Sequence, residues 1–162
     1  MQEHQQHLDP SGLDAPLPTA FHDRLALLLV RTGDRIAVRG SERLEAALGI
    51  DGADYTALAV ISQDAPRSQQ ELAQLLCKAP AMCVGLLDAL EASGLVARER
   101  DPKDRRRSIV TLTAAGREVL AKADAIAAEV EAEAIEGLTD AERDRLLAVL
   151  LGPARAGAAA GA

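Results

Sequence analysis

Aromatic side chains are almost missing from this 162-residue chain, which holds one Phe, one Tyr and no Trp. Its hydrophobic content of 48% is therefore built mainly from Ala, Leu, Val and Ile, a composition that suits one helix-rich domain with helical extensions. Long apolar runs are also lacking. The most apolar stretch, Leu25–Val30, falls far short of the roughly 20 residues a membrane span needs, and Arg24 and Arg31 bracket it. No membrane partner is expected. Residues 1–18 contain no positive region followed by an apolar run, so no secretory signal is expected and the expected location is cytoplasmic. Cysteine is scarce: Cys77 and Cys83 stand alone, far in sequence from His4, His7 and His22. This pattern gives no metal-ligand spacing, so neither a metal nor a cofactor is expected. The chain has no P-loop, no dinucleotide fingerprint and no Ser or Cys with a His partner, which argues against an enzyme.

Positive charge is in short supply overall, with a formal net charge of -7, yet its distribution is uneven. Residues 1–60 hold five Arg against nine carboxylates, whereas residues 95–110 hold six cations, Arg98, Arg100, Lys103, Arg105, Arg106 and Arg107, against three carboxylates. A basic island in an acidic chain reads as a local electrostatic footprint for a phosphate backbone.

Along the chain, residues 1–18 carry Pro10, Pro16 and Pro18 and read as a flexible segment. A long amphipathic helix is expected from an N-cap at Thr19 to Leu48, interrupted by Gly33 and Gly40, so residues 19–50 form one N-terminal helical segment. Asp51 caps a second helix. Ser68-Gln69-Gln70-Glu71 has capping-box spacing and opens a third through Cys77, and Pro80 starts a fourth that Ser93-Gly94 stops. The segments 95–100 and 108–113 flank the turn sequence Asp101-Pro102-Lys103-Asp104, a β-hairpin signal. Residues 114–152 form two further helices, the second opened by Thr139 and Glu142 and ended by Gly152-Pro153, and residues 153–162 read as a disordered tail. The fold expected is mainly α with a small β-hairpin wing and about six helices. Residues 51–113 have the element order of a winged helix-turn-helix lobe, in which the second short helix enters the major groove and the hairpin lies beside the backbone.

The run Leu90-Glu91-Ala92-Ser93-Gly94-Leu95-Val96, followed by Arg100-Asp101-Pro102-Lys103-Asp104-Arg105-Arg106-Arg107 and Leu112-Thr113-Ala114-Ala115-Gly116, resembles the recognition-helix end and wing of the MarR (multiple antibiotic resistance regulator) family. The resemblance implies a homodimer formed by the first and last helices, double-stranded DNA as partner, and a small-molecule effector that releases a repressor from a pseudo-palindromic operator. It also places Asp104 and Arg106 on the family's wing Asp-x-Arg pair, with the arginine in the minor groove and the aspartate orienting it. An arginine fork suits a narrow, negative groove. Arg98, Arg100, Lys103, Arg105 and Arg107 would then supply phosphate contacts or support.

On the recognition helix the matching positions are Ala81, Met82, Cys83, Val84 and Gly85, which lack hydrogen-bond donors, so apolar contact with thymine methyls and shape readout through the wing are expected there. Ser68, Gln69, Gln70 and Lys78 are candidates to position phosphates. Cys77 and Cys83 read either as redox-sensing thiols or as small core hydrophobes. The resemblance implies an effector pocket that His22 and Tyr55 would line, while Tyr55 also falls where the apolar face of the second helix needs filling, which favours core packing. The acidic total and the apolar helix also fit a competing reading, a winged-helix protein-interaction module that does not bind DNA.

Overall fold

A computed structural model describes residues 16–63, 67–101 and 108–158. The chain divides after Val130 into two compact units. The first contains α1 (Leu25–Leu48), α2 (Gly52–Ile61), β1 (Arg67–Ser68), α3 (Gln69–Leu75), α4 (Pro80–Ala92), β2 (Val96–Arg100), β3 (Ser108–Leu112) and most of α5 (Ala114–Ala134). The second holds the end of α5 and α6 (Asp140–Ala158).

Thr19 does not cap the first α-helix. Thr19–Phe21 closes a 3-10 turn, with the Phe21 N–H on the Pro18 carbonyl at 2.9 Å, and α1 begins only at Leu25. The break falls at Arg24, whose guanidinium donates to the Ala20 carbonyl and to Asp23, and whose φ of -115° is not helical. From there α1 runs unbroken through Gly33 and Gly40, and a methyl added at either would meet nothing within 4 Å in the chain. Gly49 ends α1 in the left-handed region at φ 68°, a conformation that costs glycine little.

Two of the helix starts follow directly from sequence. Asp51 Oδ1 accepts from the N–H groups of Ala53 and Asp54 at 2.7 and 2.8 Å, and Asp54 returns the bond by accepting from the Asp51 N–H at 3.1 Å. Asp51 and Asp54 thus form a reciprocal capping box, which also sets the Asp54 charge in the first turn of α2. Burial pushes the Asp54 carboxyl up from its usual range, partly offset by that backbone bond. Ser68 and Glu71 form the second box, with Glu71 Oε2 accepting from the Ser68 N–H and hydroxyl, each at 2.7 Å.

The hairpin pairs Val96 with Leu112 through to Arg100 with Ser108, and β1 adds a short third strand, Arg67 opposite Val110, to give the sheet order β1-β3-β2. β1 leaves no sign in the sequence, because two residues carry no readable alternation. Leu58, Leu72, Leu87, Val110 and Cys83 are the largest fully buried side chains, and with Leu44, Leu90, Val96, Leu112 and Ala123 they form one core. This core seats α4 and the hairpin on a common base.

In the second unit, Thr139 and Glu142 form the expected capping box, whose hydrogen bonds lower the Glu142 carboxyl, and Arg143 pairs with Glu131 at 2.8 Å. α6 continues past Gly152-Pro153, where the sequence led us to expect its end. The stretch beyond is rich in Ala, the residue with the highest helix propensity. Among the described residues no single helix is long and apolar enough to cross a membrane.

Candidate nucleic-acid interface

The axes of α3 and α4 bend through 109°, within the range of a helix-turn-helix. The turn between them is closed by Cys77 N–H to the Gln74 carbonyl at 3.1 Å and Lys78 N–H to the Ala73 carbonyl at 3.0 Å. Cys77 sits at φ 50°, the left-handed position that usually falls to glycine. Pro80 then opens α4 at its first turn, where a missing N–H costs nothing.

One face of α4 is committed to the core through Cys83, Leu87 and Leu90. The other presents Ala81, Met82, Val84 and Gly85 to solvent, with Met82 60% exposed. Four of the five matching positions of this helix therefore share its free face. Cys83 does not: it is 1% exposed, and burial pushes its thiol up despite the opposing pull of Lys78 and Arg98. A buried, protonated thiol is inert, which favours the packing reading of Cys83. Cys77 is exposed, and neither cysteine is in a disulfide.

The hairpin carries Arg98 and Arg100 on β2. Arg98 does not stand out as a phosphate ligand. Its Nη2 donates to Asp88 Oδ1 at 2.6 Å and its Nη1 to Glu91 Oε2, both carboxylates being on α4, and its backbone N–H donates to Glu91 Oε1 at 3.2 Å. With the Gln69 amide turned so that its oxygen faces the guanidinium, Gln69 accepts from Arg98 Nε at 2.7 Å and Nη2 at 2.9 Å. Burial works against the Arg98 charge, but the hydrogen bonds to Asp88 and Glu91 outweigh it and hold its pKa above the ordinary arginine value. Gln69 is thereby engaged inside the lobe, and the Ser68 hydroxyl is engaged in its capping box. Both were expected to meet phosphates; local geometry has given each a partner. Gln70 and Arg100 are exposed, and Lys78 is half-buried in the helix-turn-helix turn. Lys103, Asp104, Arg105, Arg106 and Arg107 lie outside the described residues.

Thr113 and Gly116, which close the wing motif in sequence, join the start of α5 to the end of α4. Thr113 Oγ1 donates to the Gly94 carbonyl at 2.7 Å and accepts from the Gly116 N–H at 3.0 Å, while the Thr113 N–H donates to the Leu95 carbonyl at 3.1 Å. A β-carbon on Gly116 would lie 2.0 Å from the Leu95 oxygen. These bonds bolt the first turn of α5 to the loop joining α4 and β2, and so fix where the wing leaves the recognition helix. Asp88 and Glu91 were missed altogether, because a carboxylate on a helix reads as a solvated group until its partner is known.

Beside α2 lies a cavity of about 240 Å³ with mostly aliphatic walls, lined by Ile36, Gly40 and Leu44 of α1, Tyr55 of α2 and Ala127 and Val130 of α5. Tyr55 is half-buried, packs on the core and lines the cavity. Its hydroxyl lies 3.1 Å from Asp124 Oδ1, and Asp124 lines a second cavity of about 310 Å³ against Ile61, Leu112 and Arg117. His22 is exposed in the turn before α1 and lines neither. Among the described residues no three His, Cys, Asp or Glu side chains are placed to hold a metal ion.

Comparison with known proteins agrees with this geometry. The sequence pattern of the MarR family matches residues 52–108. The transcriptional regulator HosA of Escherichia coli O111:H- is 33% identical over 90 residues, 56% of this chain and 67% of its own length. An uncharacterised helix-turn-helix regulator of Bacillus subtilis, YkoM, is 31% identical over 102 residues, 63% of this chain. The match spans 66% of YkoM, just under two thirds of its length. Among solved structures, the transcriptional repressor CouR bound to a 23-mer DNA duplex is 32% identical with a TM-score of 0.74, covering 86% of this chain and 99% of that one. CouR from Rhodococcus jostii RHA1 bound to p-coumaroyl-CoA is 28% identical with a TM-score of 0.73, covering 85% and 96%. On the helix-turn-helix geometry, the hairpin and these matches, the chain belongs to the MarR family of winged helix-turn-helix transcriptional regulators.

Proposed function

We propose that this protein is a transcriptional repressor that binds a pseudo-palindromic operator in double-stranded DNA as a homodimer and leaves it when a small-molecule effector binds. The observation that carries the reading is the free face of α4, Ala81, Met82, Val84 and Gly85, standing at a helix-turn-helix angle beside a hairpin whose sequence concentrates the cations of an otherwise acidic chain. The similarity to a repressor bound to a DNA duplex supports it.

The free face of α4 reads bases through apolar contact, and the wing arginines, Arg106 foremost with Asp104 orienting it, read groove shape. Half-sites then lie roughly 34–36 Å apart, one helical turn. α1 leaves Leu25, Leu29 and Val30 exposed, and α6 leaves Val149 and Leu150 more than half exposed, apolar surface that a second copy would cover. The aliphatic cavity at Tyr55 is the effector site in this reading. An occupant that moves Tyr55 would reach α5 through Asp124 and shift the lobe.

The test is binding of a duplex, selected from a random pool by the wild-type protein, across a salt series. Affinity should fall steeply with salt, and Arg106→Ala should lose at least about tenfold while sedimentation still gives a dimer. Unchanged affinity in Arg106→Ala refutes the wing assignment. No DNA affinity at any salt would instead favour the protein-interaction module, to which the net charge of -7 lends weight.

A further inference from the structure

We propose that Arg98 is a positioning residue that clamps the recognition helix to the wing and masks the acidic charge of that helix, in place of contacting DNA phosphate itself. This rests on the DNA-binding reading above. α4 carries Asp88 and Glu91 and no Lys or Arg, so alone it would bring two carboxylates and no cation toward a phosphate backbone. One guanidinium answers both. Arg98 donates to Asp88 and Glu91 of α4 and, through Nε and Nη2, to Gln69 of α3, so three elements meet on one planar fork.

Geometry makes this a clamp rather than an incidental surface pair. β2 is an edge strand of the sheet, and the Arg98 N–H donates at 3.2 Å to Glu91 Oε1 instead of to a neighbouring strand. Glu91 therefore holds both the backbone and the side chain of one wing residue. A slip of β2 by one position would turn Arg98 to the opposite face of the hairpin and leave both carboxylates unmatched. The Arg98 side chain is 20% exposed, while those of Asp88 and Glu91 are 60% and 39% exposed, so solvent screens the ion pairs. Their value is orientation more than stability. Lysine cannot substitute, because an ammonium lacks the planar set of donors that reaches two carboxylates and an amide at once.

Four variants of the full-length protein separate this from a phosphate contact, using the duplex that the wild type selects. Arg98→Gln should bind at least about tenfold more weakly, the scale of one to two lost charge-assisted hydrogen bonds. Arg98→Lys should be nearly as weak, and the slope of log affinity against log salt should stay at the wild-type value in both. Adding Asp88→Asn and Glu91→Gln should raise affinity more in the Arg98→Gln background than in the wild type, since only there are the carboxylates unmasked. Near wild-type binding by Arg98→Lys, with a salt slope reduced by about one in Arg98→Gln, would overturn the proposal and make Arg98 a phosphate ligand. The free protein gives an independent readout: amides of β2 and the last turns of α4 should exchange hydrogen faster in Arg98→Gln, and unchanged exchange overturns the clamp. If the wild type selects no duplex, the proposed function falls, and the clamp is judged on exchange alone.

Discussion

Gly116→Ala is ordinarily a helix-stabilising exchange, and here it should unfold the protein early. The added β-carbon would sit 2.0 Å from the Leu95 carbonyl oxygen and 3.0 Å from its carbon. A carbon and a carbonyl oxygen rest at about 3.3 Å or beyond, so the first turn of α5 must back away by more than about 1 Å. That displacement strikes the bonds that hold it, Thr113 N–H to Leu95 at 3.1 Å and Thr113 Oγ1 to Gly94 at 2.7 Å. Overpacking costs about 1–3 kcal/mol and each hydrogen bond about 1 kcal/mol, against a gain of at most about 1 kcal/mol for Ala over Gly in a helix. The net loss is about 2–4 kcal/mol, which for a chain of this size lowers Tm by about 5–15 °C. Gly85→Ala is the control. Gly85 is also helical, but an added methyl meets nothing within 4 Å, so the same substitution there should raise stability by about 0.5–1 kcal/mol. Thermal unfolding followed by circular dichroism, without DNA, measures both. A Gly116→Ala protein that melts at or above the wild-type temperature would refute the close approach of α5 to Leu95.

The two cysteines should differ sharply toward a thiol reagent: Cys77, exposed, reacts in the native protein, whereas Cys83, 1% exposed and with its thiol pushed up by burial, reacts only on unfolding. Release of two equivalents before denaturant is added would contradict the buried placement of Cys83. Cys77→Gly relieves a left-handed residue at φ 50° and should stabilise the helix-turn-helix by up to about 1 kcal/mol, read as a higher denaturation midpoint; a lower midpoint would show that the turn is not strained.

Much of the fold was legible because helices announce themselves locally. Asp51, Ser68 and Thr139 each place a side-chain oxygen where the first turn needs an acceptor, Pro80 marks a first turn, and Gly49 marks an end. Where the sequence reading missed, a competing local choice won. Thr19 lost its helix to a 3-10 turn closed on Pro18, and β1 was too short to show a pattern. The free face of α4 was readable as well, since the apolar spacing of Cys83, Leu87 and Leu90 leaves Met82 and Val84 on the other side.

By itself, then, the sequence determined the order and kind of the elements, the basic island in an acidic chain, and the resemblance that named the family. Each of these depends on residues close together along the chain. Only the tertiary structure decided that Arg98 serves Asp88, Glu91 and Gln69, that Tyr55 borders a cavity and lies within hydrogen-bonding distance of Asp124, and that Gly116 exists to let a helix approach the Leu95 carbonyl. A side chain declares its charge and size in sequence, but its partner is set by packing, and residues far apart in the chain, such as Tyr55 and Asp124, meet only once the core has formed.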